Sequence, residues 1–148
     1  MTDTPIYDVK ASARIKVPFF DIDVMGIAWH GHYVKYFELG RCALLDAIGY
    51  NYPQMRDSGY GWPVVDMRLK YVKPAIFDRE IEVQSTLLEW ENRLKIGYRI
   101  IDAASGNTLT KGFTVQVAVY EATGEMAFLT PAALREALAR YSEGKQSC

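Results

Sequence analysis

The sequence predicts an α+β fold, with one long helix packed against a curved antiparallel sheet. Apolar positions Tyr33, Phe37, Gly40, Leu44 and Ala47/Ile48 recur at helical spacing. The second half of the chain alternates over runs of strand length, broken by short turns. Its 148 residues suffice for a single proper core, so residues 1–148 read as one domain.

The elements follow in order. Lys10 to Val17 alternates well enough for a strand, and Pro18 closes it. The long helix runs from about Tyr33 to Gly49, a glycine suited to the residue just past a helix end. Asn51 to Ser58 reads as a short second helix, stopped by Gly59 and Gly61. Trp62 to Val72 is β-rich up to Pro74. Glu80 to Trp90 sets Ile81, Val83, Ser85 and Leu87 against Glu82, Gln84 and Thr86. Leu94 to Asp102 alternates likewise, and Ala104 to Asn107 supplies a turn. Thr108 to Tyr120 reads as one long strand, followed by a turn at Ala122 to Glu125. Thr130-Pro131 has the form of an N-cap and first helical residue, opening a last helix to about Tyr141. Edge strands in such a sheet invite a partner copy.

Composition removes several classes. The chain is 49% hydrophobic and 24% charged, ordinary for a soluble globular protein. A net charge of -1 argues against a nucleic-acid binder, which carries a basic stripe. Cys42 and Cys148 are too few for a disulfide framework and point to a reducing compartment. The N-terminus lacks a basic stretch followed by an apolar one, and no apolar run is long enough to span a bilayer. A cytoplasmic location is expected.

The chemistry concentrates in Phe19 to Gly49. Asp21 and Asp23 follow the first strand, then come Gly26, the apolar Ile27-Ala28-Trp29, and His30-Gly31-His32 before the helix. A carboxylate in a loop before a helix N-terminus lies close to unpaired backbone N–H groups. Those groups can bind a developing oxyanion. This suffices to hydrolyse an activated acyl group without a serine or a metal. Asp23 is the best chemical residue, although a loop Asp also commonly caps its own turn. Asp21 shares a face with Asp23 only if both lie on extended backbone; the favoured reading is a solvated or backbone-bonded acid. His30 and Gly31 are expected to offer backbone N–H groups at the helix start.

Other candidates carry less. His30 and His32 could bind a metal with Asp21 or Asp23, but residues two apart on a helix point to nearly opposite sides and no HExxH or Cys/His spacing accompanies them. Cys42 lies 12 residues beyond His30, about 18 Å along an unbroken helix, and reads as a packed thiol. No GxSxG elbow is present. Glu38 and Arg41 read as an ordinary i,i+3 ion pair, though Glu38 could face the site. Arg68, Lys70, Lys73, Arg93 and Lys95 flank strand ends as mostly solvated charges, a few of which could hold phosphates. No GxGxxG or Walker pattern indicates a dinucleotide or nucleotide-hydrolysis site.

Phe20-Asp21-Ile22-Asp23-Val24-Met25-Gly26-Ile27-Ala28-Trp29-His30 resembles the D-x-D-x-x-G-(hydrophobic)-x-(aromatic)-H signature of hotdog-fold acyl-CoA thioesterases. The 4-hydroxybenzoyl-CoA thioesterase type, which includes enzymes encoded with the Tol-Pal system, is the nearest in pattern. Tyr33, Tyr36-Phe37-Glu38 and Arg41 match its helix, and Leu69 to Ala75 resembles its Y-x-x-P-A strand and turn. The similarity runs from about Ala13 to Tyr120 and is most specific from Asp21 to Arg41.

The resemblance implies a long helix wrapped by an antiparallel sheet, joined into a homodimer or homotetramer with the site at the dimer interface. It implies hydrolysis of an acyl-CoA, or of an acyl group on an acyl carrier protein. Asp23 would be nucleophile or general base, with the His30 N–H polarising the carbonyl and Gly31 beside it. Trp29, Tyr33, Lys73, Arg93 and Lys95 would bind substrate, with no metal or redox cofactor. Many members have Asn where this chain has His32, so the acyl pocket or proton traffic differs here. Two alternatives stay open on the same fold. One is a module that binds acyl-CoA or acyl carriers without hydrolysis. The other is a hydratase or dehydratase, which would want a His and an acid facing the acyl β-carbon, a role open to His30 or His32.

Overall fold

The computed structural model describes residues 5–146; Cys148 lies outside them. The elements are β1 (Lys10–Lys16), α1 (His32–Ile48), α2 (Tyr52–Asp57), β2 (Tyr60–Gly61), β3 (Val64–Tyr71), β4 (Glu80–Glu89), β5 (Leu94–Asp102), β6 (Thr108–Gln116), β7 (Val119–Tyr120) and α3 (Ala132–Gln146). Five strands form one antiparallel sheet in the order β1-β4-β5-β6-β3, and β2 pairs with β7 separately. The long helix on this sheet is the hotdog arrangement.

Strand alternation decides which face α1 covers. Ile81, Val83, Ser85 and Leu87 of β4 and Leu94, Ile96, Tyr98 and Ile100 of β5 are buried. Against them α1 sets Tyr33, Tyr36, Phe37, Leu44, Leu45 and Ile48, also buried. Each fully buried large apolar side chain contributes about 1.5–3 kcal/mol. Phe37 stacks on Tyr98 with ring centroids 4.4 Å apart. The helix comes closest at Gly40, where a Cβ would stand 2.6 Å from Val83 Cγ1. Ser85 Oγ donates to the Gly40 carbonyl over 2.8 Å, so the polar member of the β4 stripe is satisfied by the helix. Gly49 ends α1 at φ 72°, which a residue with a Cβ adopts reluctantly. Asn51 and Gln54 then form a capping box on α2.

Two expectations about strand and helix ends are corrected. The alternation from Thr108 to Tyr120 is not one strand. β6 stops at Gln116, the Val117 N–H bonds to the Pro63 carbonyl, and Val119–Tyr120 turn away to pair with β2. The ladder ends there because β3 begins just after Pro63, which has no N–H to donate. Gln116, on the apolar side, is tied through Nε2 to the Trp62 carbonyl. Thr130 does not cap α3 through its hydroxyl. Its Oγ1 donates to the Trp90 carbonyl at 2.7 Å, fastening the start of α3 to the end of β4. Helix α3 also runs to Gln146, a turn past Tyr141.

The outer edge of the sheet at β3 is unpaired among the described residues. Its exposed residues are mixed: Val65, Tyr71 and the following Val72 are 57%, 48% and 47% exposed, and Asp66, Arg68 and Lys70 are exposed between them.

Candidate active site

Between β1 and α1 the chain makes a tight hairpin. Residues Phe19–Asp21 form a single 3-10 turn. Ile22 then pairs with Ala28, the Asp23 N–H bonds to the Ile27 carbonyl, and the Gly26 N–H bonds back to the Asp23 carbonyl. Gly26 takes φ 78°, which is why a glycine stands at this turn. The hairpin is fixed on its far side too. Ile27 pairs with Ile76, and the Ala28 N–H donates to the Ala75 carbonyl at 2.8 Å. The Ala75 N–H in turn donates to the Tyr33 hydroxyl at 2.9 Å.

A cleft of about 310 Å³ opens beside this hairpin, walled by Asp23, His30, Tyr33, Tyr71 and the Val72–Pro74 segment, including Lys73. The structure therefore brings together four of the sequence-derived site residues: Asp23, His30, Tyr33 and Lys73. Asp23 does cap its own turn, since Oδ1 accepts from the Met25 N–H at 2.8 Å. Its other oxygen has no intramolecular partner among the described residues. Burial raises the Tyr33 phenol against the lowering bond from the Ala75 N–H, and the charges of Tyr71 and Asp23 add to the rise.

Helix α1 starts at His32 with Gly31 as its N-cap, and no side chain caps it. The His32 N–H closes a turn onto the Trp29 carbonyl, and Tyr71 donates its hydroxyl to the His30 carbonyl at 2.7 Å. No intramolecular acceptor meets the His30 or Gly31 N–H among the described residues. A Cβ on Gly31 would run into the Trp29 ring, which would have to swing aside. Trp29 itself is not a wall of the cleft. Its ring centroid lies 4.9 Å from that of His30 and 5.4 Å from that of His32.

Asp21 is a correction. It is neither solvated nor bonded to backbone through its side chain, and it shares no extended face with Asp23. The 3-10 turn swings its carboxylate under the first turn of α1, where it is 1% exposed. Lys35 Nζ and Tyr36 OH each donate to it at 2.7 Å, and His32 Nδ1 lies 3.8 Å away. Burial pushes this carboxyl up, but the bonds from Lys35 and Tyr36 and the Lys35 and His32 charges outweigh it and hold it below the ordinary value. Burial and the bond to Asp21 push Tyr36 well up. The signal was present in the sequence: residues 32, 35 and 36 fall on one helix face and are all polar-tipped.

Arg93 and Lys95 also depart from the sequence-derived set, because neither lines this cleft. Arg93 sits by the β4–β5 turn, bonded twice to Glu89 at 2.6 and 3.0 Å. Lys95 Nζ lies 4.4 Å over the Phe113 ring. Among the described residues no group of three or more His, Cys, Asp or Glu comes together to hold a metal. His32 turns to Asp21, while His30 faces the cleft with Asp23. Unbroken α1 keeps Cys42 away from His30, and its thiol is half-buried. No helix of the described residues is long and apolar enough to cross a membrane.

Residues 17–138 match the model of the thioesterase-like superfamily. YneP of Bacillus subtilis (strain 168), which carries a provisional acyl-CoA thioesterase name, is 37% identical over 93 residues, 62% of this chain and 67% of YneP. A hypothetical protein from Thermus thermophilus superposes with a TM-score of 0.78 at 32% identity, over 88% of this chain and 98% of its own. A DHNA-CoA thioesterase from Staphylococcus aureus has the same fold, with a TM-score of 0.80 at 23% identity over 93% of this chain and 94% of its own.

Proposed function

The chain belongs to the thioesterase-like superfamily, and from that premise we propose that it hydrolyses an acyl-CoA thioester to the free acid and CoA. The observation that carries the proposal is the shared cleft, which Asp23 and His30 both line; Gly31 follows as the N-cap of α1, and neither the His30 nor the Gly31 N–H meets an intramolecular acceptor among the described residues. A thioester is already activated, so the protein must supply a positioned base or nucleophile and an oxyanion site.

In the general-base route Asp23 takes a proton from water as the water oxygen bonds to the carbonyl carbon. The carbonyl electrons move onto oxygen beside the His30 and Gly31 N–H groups. When the carbonyl re-forms, the carbon–sulfur bond breaks and CoA leaves as the thiolate. In the nucleophilic route an Asp23 oxygen bonds to the carbonyl carbon, the carbon–sulfur bond breaks with CoA leaving as the thiolate, and water then opens the resulting mixed anhydride to the free acid and the Asp23 carboxylate. Label in Asp23 after a single turnover in ¹⁸O-water identifies the nucleophilic route with water attacking the Asp23 carbonyl carbon; attack at the acyl carbon puts the label in the acid, as the general-base route does. Thiol release over short, long and aromatic acyl-CoAs tests the activity and identifies the acyl group. Absence of release from every one would refute the proposal.

Asp23 also caps its own turn, and this favours a second reading, an acyl-CoA or acyl-carrier binding module without hydrolysis. Tight acyl-CoA binding with no thiol release would select it.

The role given to His30 rests on its backbone. His30→Ala should keep activity within roughly tenfold of wild type, because the N–H survives, whereas true loss of one such donor costs about 10²–10³-fold. A loss as large as that of removing the Asp23 charge, together with chelator sensitivity of the wild type, would show the imidazole to be the working group.

The open edge of β3, with Val65 and Tyr71 exposed on it, supports assembly into a homodimer or homotetramer, with the cleft at one end of that edge completed by a second copy. Sedimentation should give a dimer or tetramer. A fully active monomer at micromolar concentration would overturn this arrangement.

A further inference from the structure

Five cations crowd one half of the outer sheet face. Arg99 of β5 pairs directly with Lys111 of β6, and Lys111 pairs with Lys70 of β3. Ile96, Tyr98 and Ile100 are buried beneath α1, so Lys95, Gly97 and Arg99 take the opposite, outer face. Arg68 and Lys95 lie on that same face, where Lys95 stands opposite Glu89 of β4 and Asp66 precedes Arg68 on β3. Neighbouring strands lie about 4.8 Å apart, so the row from Arg99 to Lys70 spans about 10 Å. Like charges directly opposite on adjacent strands destabilise a sheet. None of the five has an ion-pair partner among the described residues. The whole chain carries a net charge of -1, so the accumulation is local.

Two further features fit a ligand. Arg99 Nε is held by Thr108 Oγ1 at 2.7 Å, which orients its guanidinium along the face. Beside the row a hollow of about 360 Å³ opens over Gly97, walled by Gln84, Thr86, Leu88 and Lys111. A Cβ on Gly97 would stand 3.0 Å from Leu88 Cδ1 and narrow it. The row starts at Lys70, next in sequence to Tyr71 in the cleft wall but on the opposite face of β3, so a ligand that reaches both passes around the end of that strand.

We propose that Lys70, Lys111 and Arg99 form a binding row for the closely spaced phosphates of a nucleotide. The source is either the nucleotide end of the CoA substrate, which rests on the thioesterase reading, or a free nucleotide, which does not. The spacing suits two phosphate groups side by side, and an arginine beside two lysines supplies both directional and point-charge contacts.

The test is calorimetric titration of wild type and of the combined variant Lys70→Gln, Arg99→Gln, Lys111→Gln with CoA, ADP and pantetheine. The variant should lose about tenfold or more in CoA affinity, since hydrogen bonds to charged groups are lost, and most of the salt dependence of binding. Pantetheine, without phosphates, should bind both proteins alike. ADP that displaces CoA from wild type assigns the row to the substrate; ADP that binds beside CoA, and fails to bind the variant, assigns it to a separate nucleotide. Equal CoA and ADP affinities in the two proteins, or no binding of either to wild type, overturns the proposal. Wild type that binds CoA through the row yet hydrolyses no thioester would count against the thioesterase reading alone.

Discussion

Asp23→Asn is expected to lower kcat at least about 10²-fold with little change in KM. Asparagine keeps the shape of the side chain, and its amide oxygen can still accept from the Met25 N–H that now bonds to Oδ1. The hairpin, its pairing to Ile76 and the Tyr33–Ala75 bond are therefore kept. What disappears is the negative charge on the oxygen without a partner. A thermal melt beside the kinetics separates the two effects: the melting temperature should stay close to wild type while turnover collapses. Near-wild-type turnover in a well-folded variant would rule out Asp23 as base or nucleophile.

Asp21→Asn should do the reverse, with a milder kinetic effect and a clear loss of stability. Asp21 is buried, whereas its partner Lys35 has a side chain 45% exposed, so the lysine can rehydrate once the charge is gone. The expected cost is about 1–3 kcal/mol, or a melting temperature lower by roughly 3–9 °C. Its sign with pH follows from the lowered carboxyl pKa. The native state holds the ionised form more tightly than the unfolded chain does. That stability is present above the unfolded value near 3.9 and fades as pH falls through the lower folded value. The gap in melting temperature between wild type and variant should thus be widest at neutral pH and shrink below about pH 4. A gap of constant size down to pH 3 would mean that packing, not charge, sets the cost.

What could be read from the sequence follows from how local each cause is. The α1 stripe, the alternation of β4 and β5 and the glycine at position 49 depend on periodicity and backbone freedom, and they appear in the structure as the sequence predicts. The β6–β7 break was illegible because Val115, Val117 and Val119 keep perfect alternation; its cause, Pro63, sits more than fifty residues earlier on the partner strand. Thr130 misled for the same reason, its hydroxyl being taken by Trp90, a residue distant in sequence. Asp23, His30, Tyr33 and Lys73 line one cleft because hairpin, helix start and the end of β3 meet; the nearness of Asp23 to the helix start was legible from their order in the chain, while Tyr33 and Lys73 were pointed to only by the family pattern. Arg41 reads as half of a surface pair with Glu38. The pair exists at 3.0 Å, but the arginine is 3% exposed and is also bonded by the Tyr52 hydroxyl.

The bond from the Met25 N–H to Asp23 Oδ1 also means that this carboxylate is not a free rotor. Its two oxygens are not interchangeable: one is anchored in the turn, and the other keeps a fixed bearing. The rotational entropy of the group is surrendered when the hairpin folds, not when the transition state forms. A planar thioester entering such a cleft would meet its base or nucleophile from a single side, so the tetrahedral carbon would form with one handedness.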